Sequence, residues 1–144
     1  MRTHSSPPGI GVAAFFAGVT AALLLIATLV GAPSAQAAGQ APDPKLCNDT
    51  ANPPQDVVTH GGCIAISRTK GNCQACHFVA GTAAGNIAPP LVGMAQRFPD
   101  KARLRAQIQD ASKANPKTVM PPYGRHEILT SEEIDKVIEW LQTL

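Results

Sequence analysis

The chain has 144 residues, and 12 Lys and Arg set against 10 Asp and Glu leave a formal charge of +2. That length holds one small domain, and so slight a charge gives no basic field with which to grip nucleic acid. The hydrophobic fraction of 44% overstates the core, because much of it lies in one run near the N-terminus.

Residues 1–37 read as a secretory signal peptide. Arg2 is the basic start, an apolar stretch runs from Ile10 to Val30, Gly31 and Pro33 break it, and Ala35-Gln36-Ala37 is a small-x-small cleavage site. Cleavage after Ala37 and a periplasmic location are expected. A run of about 20 apolar residues is also long enough to span a bilayer, so an uncleaved anchor is the alternative. Residues 38–60, rich in Pro, Asp and Asn, read as an extended arm. The domain proper is expected over 61–144.

The first expected helix is short, around Gly62 to Thr69, with Ile64, Ile66 or both turned inward. Next comes Cys73-Gln74-Ala75-Cys76-His77, a complete C-x-x-C-H, the attachment sequence of a c-type haem. Each thiol adds to a vinyl group as a thioether, and the adjacent His is carried under the iron as an axial nitrogen. No second C-x-x-C or H-x-x-x-H completes a zinc site. No βαβ pattern accompanies the pair, as a thioredoxin-like motif would need. Cys47 and Cys63 remain. In an oxidising compartment a mutual disulfide is expected, tying the arm to the first helix, with a free thiol or an intersubunit bridge as alternatives.

Gly81 to Pro90 reads as a loop wrapping the cofactor. Pro99 to Lys113 places Leu104, Ile108 and Ala111 on one helical face. The stretch Asn115 to Arg125 carries Pro116, Pro121, Pro122 and Gly124 and cannot be helix or central strand. It also carries Met120, the expected second axial ligand: it lies well downstream of His77, and its prolines restrict the conformations to be frozen on ligation. His126, Met94, His60 or an open coordination site are the alternatives. Met94 falls in a helical stretch, where a Met more often fills core. A thioether on the iron favours the ferrous state relative to a second His, and an iron filled on both faces leaves electron transfer as the default role.

The last element has the clearest signals. Thr130 and Glu133 form a capping box, and Ile134, Val137, Ile138, Leu141 and Leu144 an apolar stripe. There is no internal repeat and no alternating strand pattern. The expected class is all-α, short helices wrapped around one covalently attached haem c. Of the aromatics only Phe78, Phe98, Tyr123 and Trp140 fall beyond the leader, so the cofactor itself would complete a core that is otherwise marginal for this size.

A short helix, C-x-x-C-H, a Pro-Leu loop, a Met loop and a C-terminal helix bearing Trp140-Leu141 together resemble the class I cytochrome c fold. In that family the carbonyl of a proline twelve residues beyond the axial His accepts a hydrogen bond from the ligand's other nitrogen. Pro89 stands there, in Ala88-Pro89-Pro90-Leu91. A narrower resemblance rests on Lys70-Gly71-Asn72, on Asn86 to Leu91, on Asn115-Pro116-Lys117-Thr118-Val119-Met120-Pro121-Pro122-Tyr123-Gly124, and on the closing Trp140 to Leu144. These strings are similar to the SoxX family, the small monohaem cytochrome subunits of the bacterial sulfur-oxidising (Sox) system.

That resemblance implies a heterodimer with a SoxA-like haem subunit, an L-cysteine S-thiosulfotransferase that couples thiosulfate to a cysteine of a SoxYZ-like carrier. The sulfur chemistry is then expected on the partner, and this chain would relay electrons to a soluble cytochrome c. His77 and Met120 would be ligands, and no residue here a catalytic acid, base or nucleophile. The alternative is a free periplasmic class I cytochrome c, with a sensor or peroxidase third. Arg97, Lys101, Arg103, Arg105 and Arg125 form a basic cluster, read either as a solvated helix face or as a docking patch for an acidic partner.

Overall fold

The computed structural model describes residues 39–83 and 85–144. The chain divides into two units, 1–34 and 35–144, and every described residue lies in the second. The expected secretory signal, residues 1–37, lies outside the described residues. Among those described there are five helices: α1 (Pro44–Cys47), α2 (Val57–Ile66), α3 (Met94–Arg97), α4 (Lys101–Asp110) and α5 (Ser131–Leu141). Short 3₁₀ turns lie at Cys73–Ala75 and Ala111–Lys113. The architecture is all-α, and among the described residues an isolated β-bridge joins His77 to Ala88.

Each longer helix starts on a side-chain cap. The Asp56 carboxylate accepts from Thr59 N–H at 2.7 Å, Asp100 from Ala102 N–H at 2.8 Å, and Thr130 Oγ1 from Glu133 N–H at 3.1 Å. The Glu133 carboxylate completes the capping box by accepting from Thr130 N–H at 2.9 Å. The first long helix therefore begins before the expected Gly62 and ends before Thr69. β-branched Val57, Val58 and Thr59, then Gly61-Gly62, argue against helix by propensity, and the Asp56 cap together with packing overrides them.

The glycine pair has a tertiary purpose. A Cβ on Gly61 would run into the backbone of Lys136, and one on Gly62 would meet the Trp140 ring at 2.9 Å. Bare backbone lets α2 lie directly against α5, where Ile134, Val137, Ile138, Trp140 and Leu141 are buried. From α2, Ile64, Ala65 and Ile66 enter the same core, and from α4 and its following turn Leu104, Ile108 and Ala111 do so.

The arm does not extend as expected. Ala41 and Pro42 are buried, Trp140 Nε1–H donates to Gln40 O at 3.0 Å, and Ala41 N–H donates to Ala80 O at 2.8 Å. The next stretch turns into α1 behind its Asp43 cap. A disulfide then joins Cys47 to Cys63, with Cα atoms 5.2 Å apart, and fixes α1 to α2. The start of the arm belongs to the core of the domain.

Candidate haem-binding site

Asn72 adopts a left-handed conformation (φ 47°) and turns the chain into the tight Cys73–Ala75 helix. Cys76 N–H and His77 N–H both donate to Cys73 O, at 3.2 and 3.0 Å, so the two thiols and the imidazole are held in one turn. Segment 86–91 lies alongside. Ile87 N–H and Ala88 N–H donate to Cys76 O, each at 3.0 Å, and Leu91 N–H donates to Phe78 O at 2.9 Å. This register brings Pro89 O to 2.6 Å from His77 Nδ1. A carbonyl oxygen can only accept, so Nδ1 carries the proton and Nε2 keeps its lone pair for a metal. The same bond fixes the ring's orientation and makes it a better donor.

The Met loop is built from local turns. The Asn115 side chain accepts from Lys117 N–H, Thr118 Oγ1 accepts from Met120 N–H, and Pro121 O accepts from Tyr123 N–H, at 3.0 to 3.1 Å. Two anchors hold it in place. The Tyr123 hydroxyl is buried and donates to Gly71 O at 2.6 Å, tying the loop to the segment just before the cysteines. Gly124 N–H and Arg125 N–H both donate to Gln109 O at the end of α4.

One cleft lies between these two constructions. His77, Cys73, Pro89, Met120 and Gln107 line it together with the apolar Leu104, Ile108, Val137 and Leu141. Cys76 is half-buried at the end of the turn and is not among the lining residues. Burial pushes the Cys73 thiol up to about 12, so in the folded chain it stays protonated at neutral pH. Of the alternative ligands, His126 is exposed and His60 half-buried on α2, neither lining the cleft. Met94 does line it, but as a buried core side chain whose sulfur lies 3.5 Å from Arg97 Nη1.

The donor set fits haem. Among the described residues no group of three or more His, Cys, Asp or Glu could hold a bare metal ion. A single imidazole and a thioether suit an iron that brings its own four equatorial nitrogens, and an apolar cleft suits the macrocycle. A protein-family model described as cytochrome C oxidase, cbb3-type, subunit III matches residues 67–141. The chain belongs to this family. It is therefore an electron-transfer haem protein with a cytochrome c domain, and its all-α fold is that of the class. No curated protein matches it. Among the described residues no helix is long and apolar enough to cross a membrane.

In this cytochrome c domain the basic cluster is largely neutralised. Lys101 pairs with Glu139 at 2.7 Å, Arg105 with Asp135, and Arg125 with the buried Asp110 at 3.1 Å. The first two join α4 to α5. Arg97 turns inward instead, its Nη1 donating to Pro90 O at 2.6 Å and to Val92 O at 3.3 Å, which braces the loop that presents Pro89. Of the five, Arg103 alone has no ion-pair or hydrogen-bond partner among the described residues. Four of the five charges thus have partners within the domain. Two further cleft residues escape a reading by motif. Tyr123 acts through a backbone carbonyl, which no side-chain pattern encodes. Gln107 did leave a trace: with Leu104, Ile108 and Ala111 it occupies the i, i+3, i+4, i+7 face, where a polar residue is out of place.

Proposed function

We propose that this protein is the monohaem electron-relay subunit of a thiosulfate-oxidising complex of the SoxAX type, working in the periplasm. One haem c is bound through Cys73 and Cys76 and ligated by His77 and Met120. The observation that carries this reading is the Asn115 to Gly124 string, N-P-x-T-x-M-P-P-Y-G, together with its role as the loop that sets Met120 at the cleft. When bound, the haem supplies a reversible one-electron change at its iron. The chain's own residues then do three things. His77 is held by Pro89 as a neutral ligand, Met120 is held by the Tyr123 and Gln109 anchors, and the apolar side chains of the cleft keep water from the ring.

Coupling thiosulfate to a carrier thiol joins two sulfurs, releases one proton and gives up two electrons. A one-electron relay must therefore act twice for each coupling. Neither axial ligand can serve as acid, base or nucleophile while bound to iron, so the sulfur chemistry belongs to a SoxA-like partner acting on a SoxYZ-like carrier. A soluble cytochrome c would take the electrons onward.

The family match, which carries only a cytochrome c domain, is met equally by a second reading, a free periplasmic class I cytochrome c electron carrier. Intact-complex mass spectrometry on the protein, affinity-purified from thiosulfate-grown cells of its native host, separates the two. An equimolar haem-bearing partner supports the relay subunit. A lone chain carrying the mass of one haem supports the free carrier.

A further inference from the structure

A second cavity, of about 910 Å³, opens beside the turn that carries the C-x-x-C-H motif, at Asn72, Gln74 and Ala75, and shares no lining residue with the haem cleft. Cys47 and Cys63 both line it and are both half-buried, so the disulfide between them lies in its wall. Arg68 is the one charged side chain of that lining, and no carboxylate belongs to it. The side chains of Arg68, Asn48 and Asn72 have no hydrogen bond or ion pair among the described residues, and each can donate. The Ser67 and Thr69 hydroxyls bond each other at 3.2 Å, which leaves one proton over. Asp43 and Asp49, next to lining residues in the chain, spend their carboxylates on their own turns. Asp43 accepts from Lys45 N–H at 2.8 Å, and Asp49 from Ala51 N–H and Asn52 N–H, each at 3.0 Å. A free guanidinium among amides and hydroxyls suits the oxygens of an anion, and a disulfide is an electrophile for a nucleophilic sulfur. Sulfite joins the two properties in one small ion. We propose that this cavity is a docking and modification site for a sulfur oxyanion of the sulfite class, held by Arg68, whose sulfur opens the Cys47–Cys63 bond. Neither the haem ligation nor the thiosulfate reading enters this inference.

The sulfite lone pair forms a sulfur–sulfur bond to one cysteine, the Cys47–Cys63 bond breaks, and its electron pair leaves on the other cysteine as a thiolate. The first cysteine becomes an S-sulfonate. Sulfite has given up two electrons and the disulfide has taken them, so no further reactant is needed. The departing thiolate remains tethered beside the adduct and can expel sulfite to close the bond again, so the change follows the sulfite concentration. Cys47 ends α1 and Cys63 lies within α2, and opening the bond therefore detaches α1 from α2. The start of the arm stays in place, because Trp140 Nε1–H still donates to Gln40 O.

The test uses the folded, haem-loaded protein at low ionic strength, with sulfite as the probe and intact mass with peptide mapping as the readout. Sulfite should place one sulfonate on Cys47 or Cys63 and leave the other as a free thiol. Arg68→Gln should slow this reaction about fivefold, the effect of one exposed charge on an anion in water, and added salt should erase the difference. Arg103→Gln removes an equally unpaired cation that does not line the cavity, and should leave the rate unchanged. A neutral phosphine, tris(hydroxypropyl)phosphine, reduces the same bond with no charge for Arg68 to hold. Its rate should be the same in the wild type and both variants, which also shows that Arg68→Gln leaves the disulfide equally open. Sulfite that modifies the protein in urea but not when folded overturns the proposal, since the bond would then be closed to the cavity. An unchanged sulfite rate in Arg68→Gln at low salt overturns it too. So does an equal slowing with sulfite and with the phosphine, which would make access and not charge the cause.

Discussion

Two backbone carbonyls govern what the proposed ligand side chains can do. Pro89 O settles the tautomer of His77, and Gly71 O receives the Tyr123 hydroxyl. Burial pushes that hydroxyl well above the usual tyrosine value, so it remains a donor at any working pH. Tyr123→Phe keeps the ring and leaves Gly71 O buried with no donor, which should cost about 1–3 kcal/mol in denaturant unfolding. An unchanged midpoint would mean the carbonyl has found another partner. Cys73, Cys76, His77 and Met120 stand out in the sequence as candidates because each is a reactive side chain in a spaced motif. The bonds that aim them do not, since a carbonyl acceptor carries no residue identity. Pro89 was reached only through a family resemblance.

Among the elements, α5 and α4 were readable because caps and apolar period agree along them. The start of α2 was not, since its glycine pair makes sense only opposite Lys136 and Trp140, residues far along the chain. Gly61→Ala puts a methyl into the backbone of α5, and the helices must part. The loss should be at least about 1–3 kcal/mol, seen as a lower urea midpoint with little change in slope. A stability gain, as helix propensity alone would give, would refute the close crossing. The disulfide acts on the neighbouring element. Cys47 and Cys63 are 16 residues apart, and releasing that loop by a double Ser substitution should cost about 3 kcal/mol, mostly through the unfolded chain. Because α1 and not the cleft is released, the haem spectrum of the double variant should match the wild type. A changed spectrum would show that the arm reaches the iron.

At the scale of the whole molecule, carboxylates hold the Met loop and the helix ends, and this gives stability a direction in pH. Asp110 sits below the ordinary carboxylate range because the Ser112 hydroxyl bonds it and, against the cost of burial, Arg125 and Lys113 face it. Glu132 is lowered by Lys136. Glu133 is raised by burial but lowered overall by the Thr130 backbone and Lys70. For each, the folded value lies below the unfolded one, about 4, so between the two the unfolded chain binds more protons. Their contribution is complete above about pH 5 and is lost as pH falls through the folded values. The urea midpoint should therefore be level near neutrality and drop below about pH 4. Asp110→Asn should be weaker at pH 7 and show a shallower acid slope, because the group that takes up the proton is gone. Arg125 is the loop residue that Asp110 grips, so in acid the Met loop should loosen before the α2–α5 core. In the haem-loaded protein, with Met120 on the iron as proposed, that order would be read as loss of the axial methionine signal ahead of the loss of helical circular dichroism. Simultaneous loss of both signals would place the Met loop and the helices in one cooperative unit, and Asp110 would then be one carboxylate among several rather than the latch on the ligand.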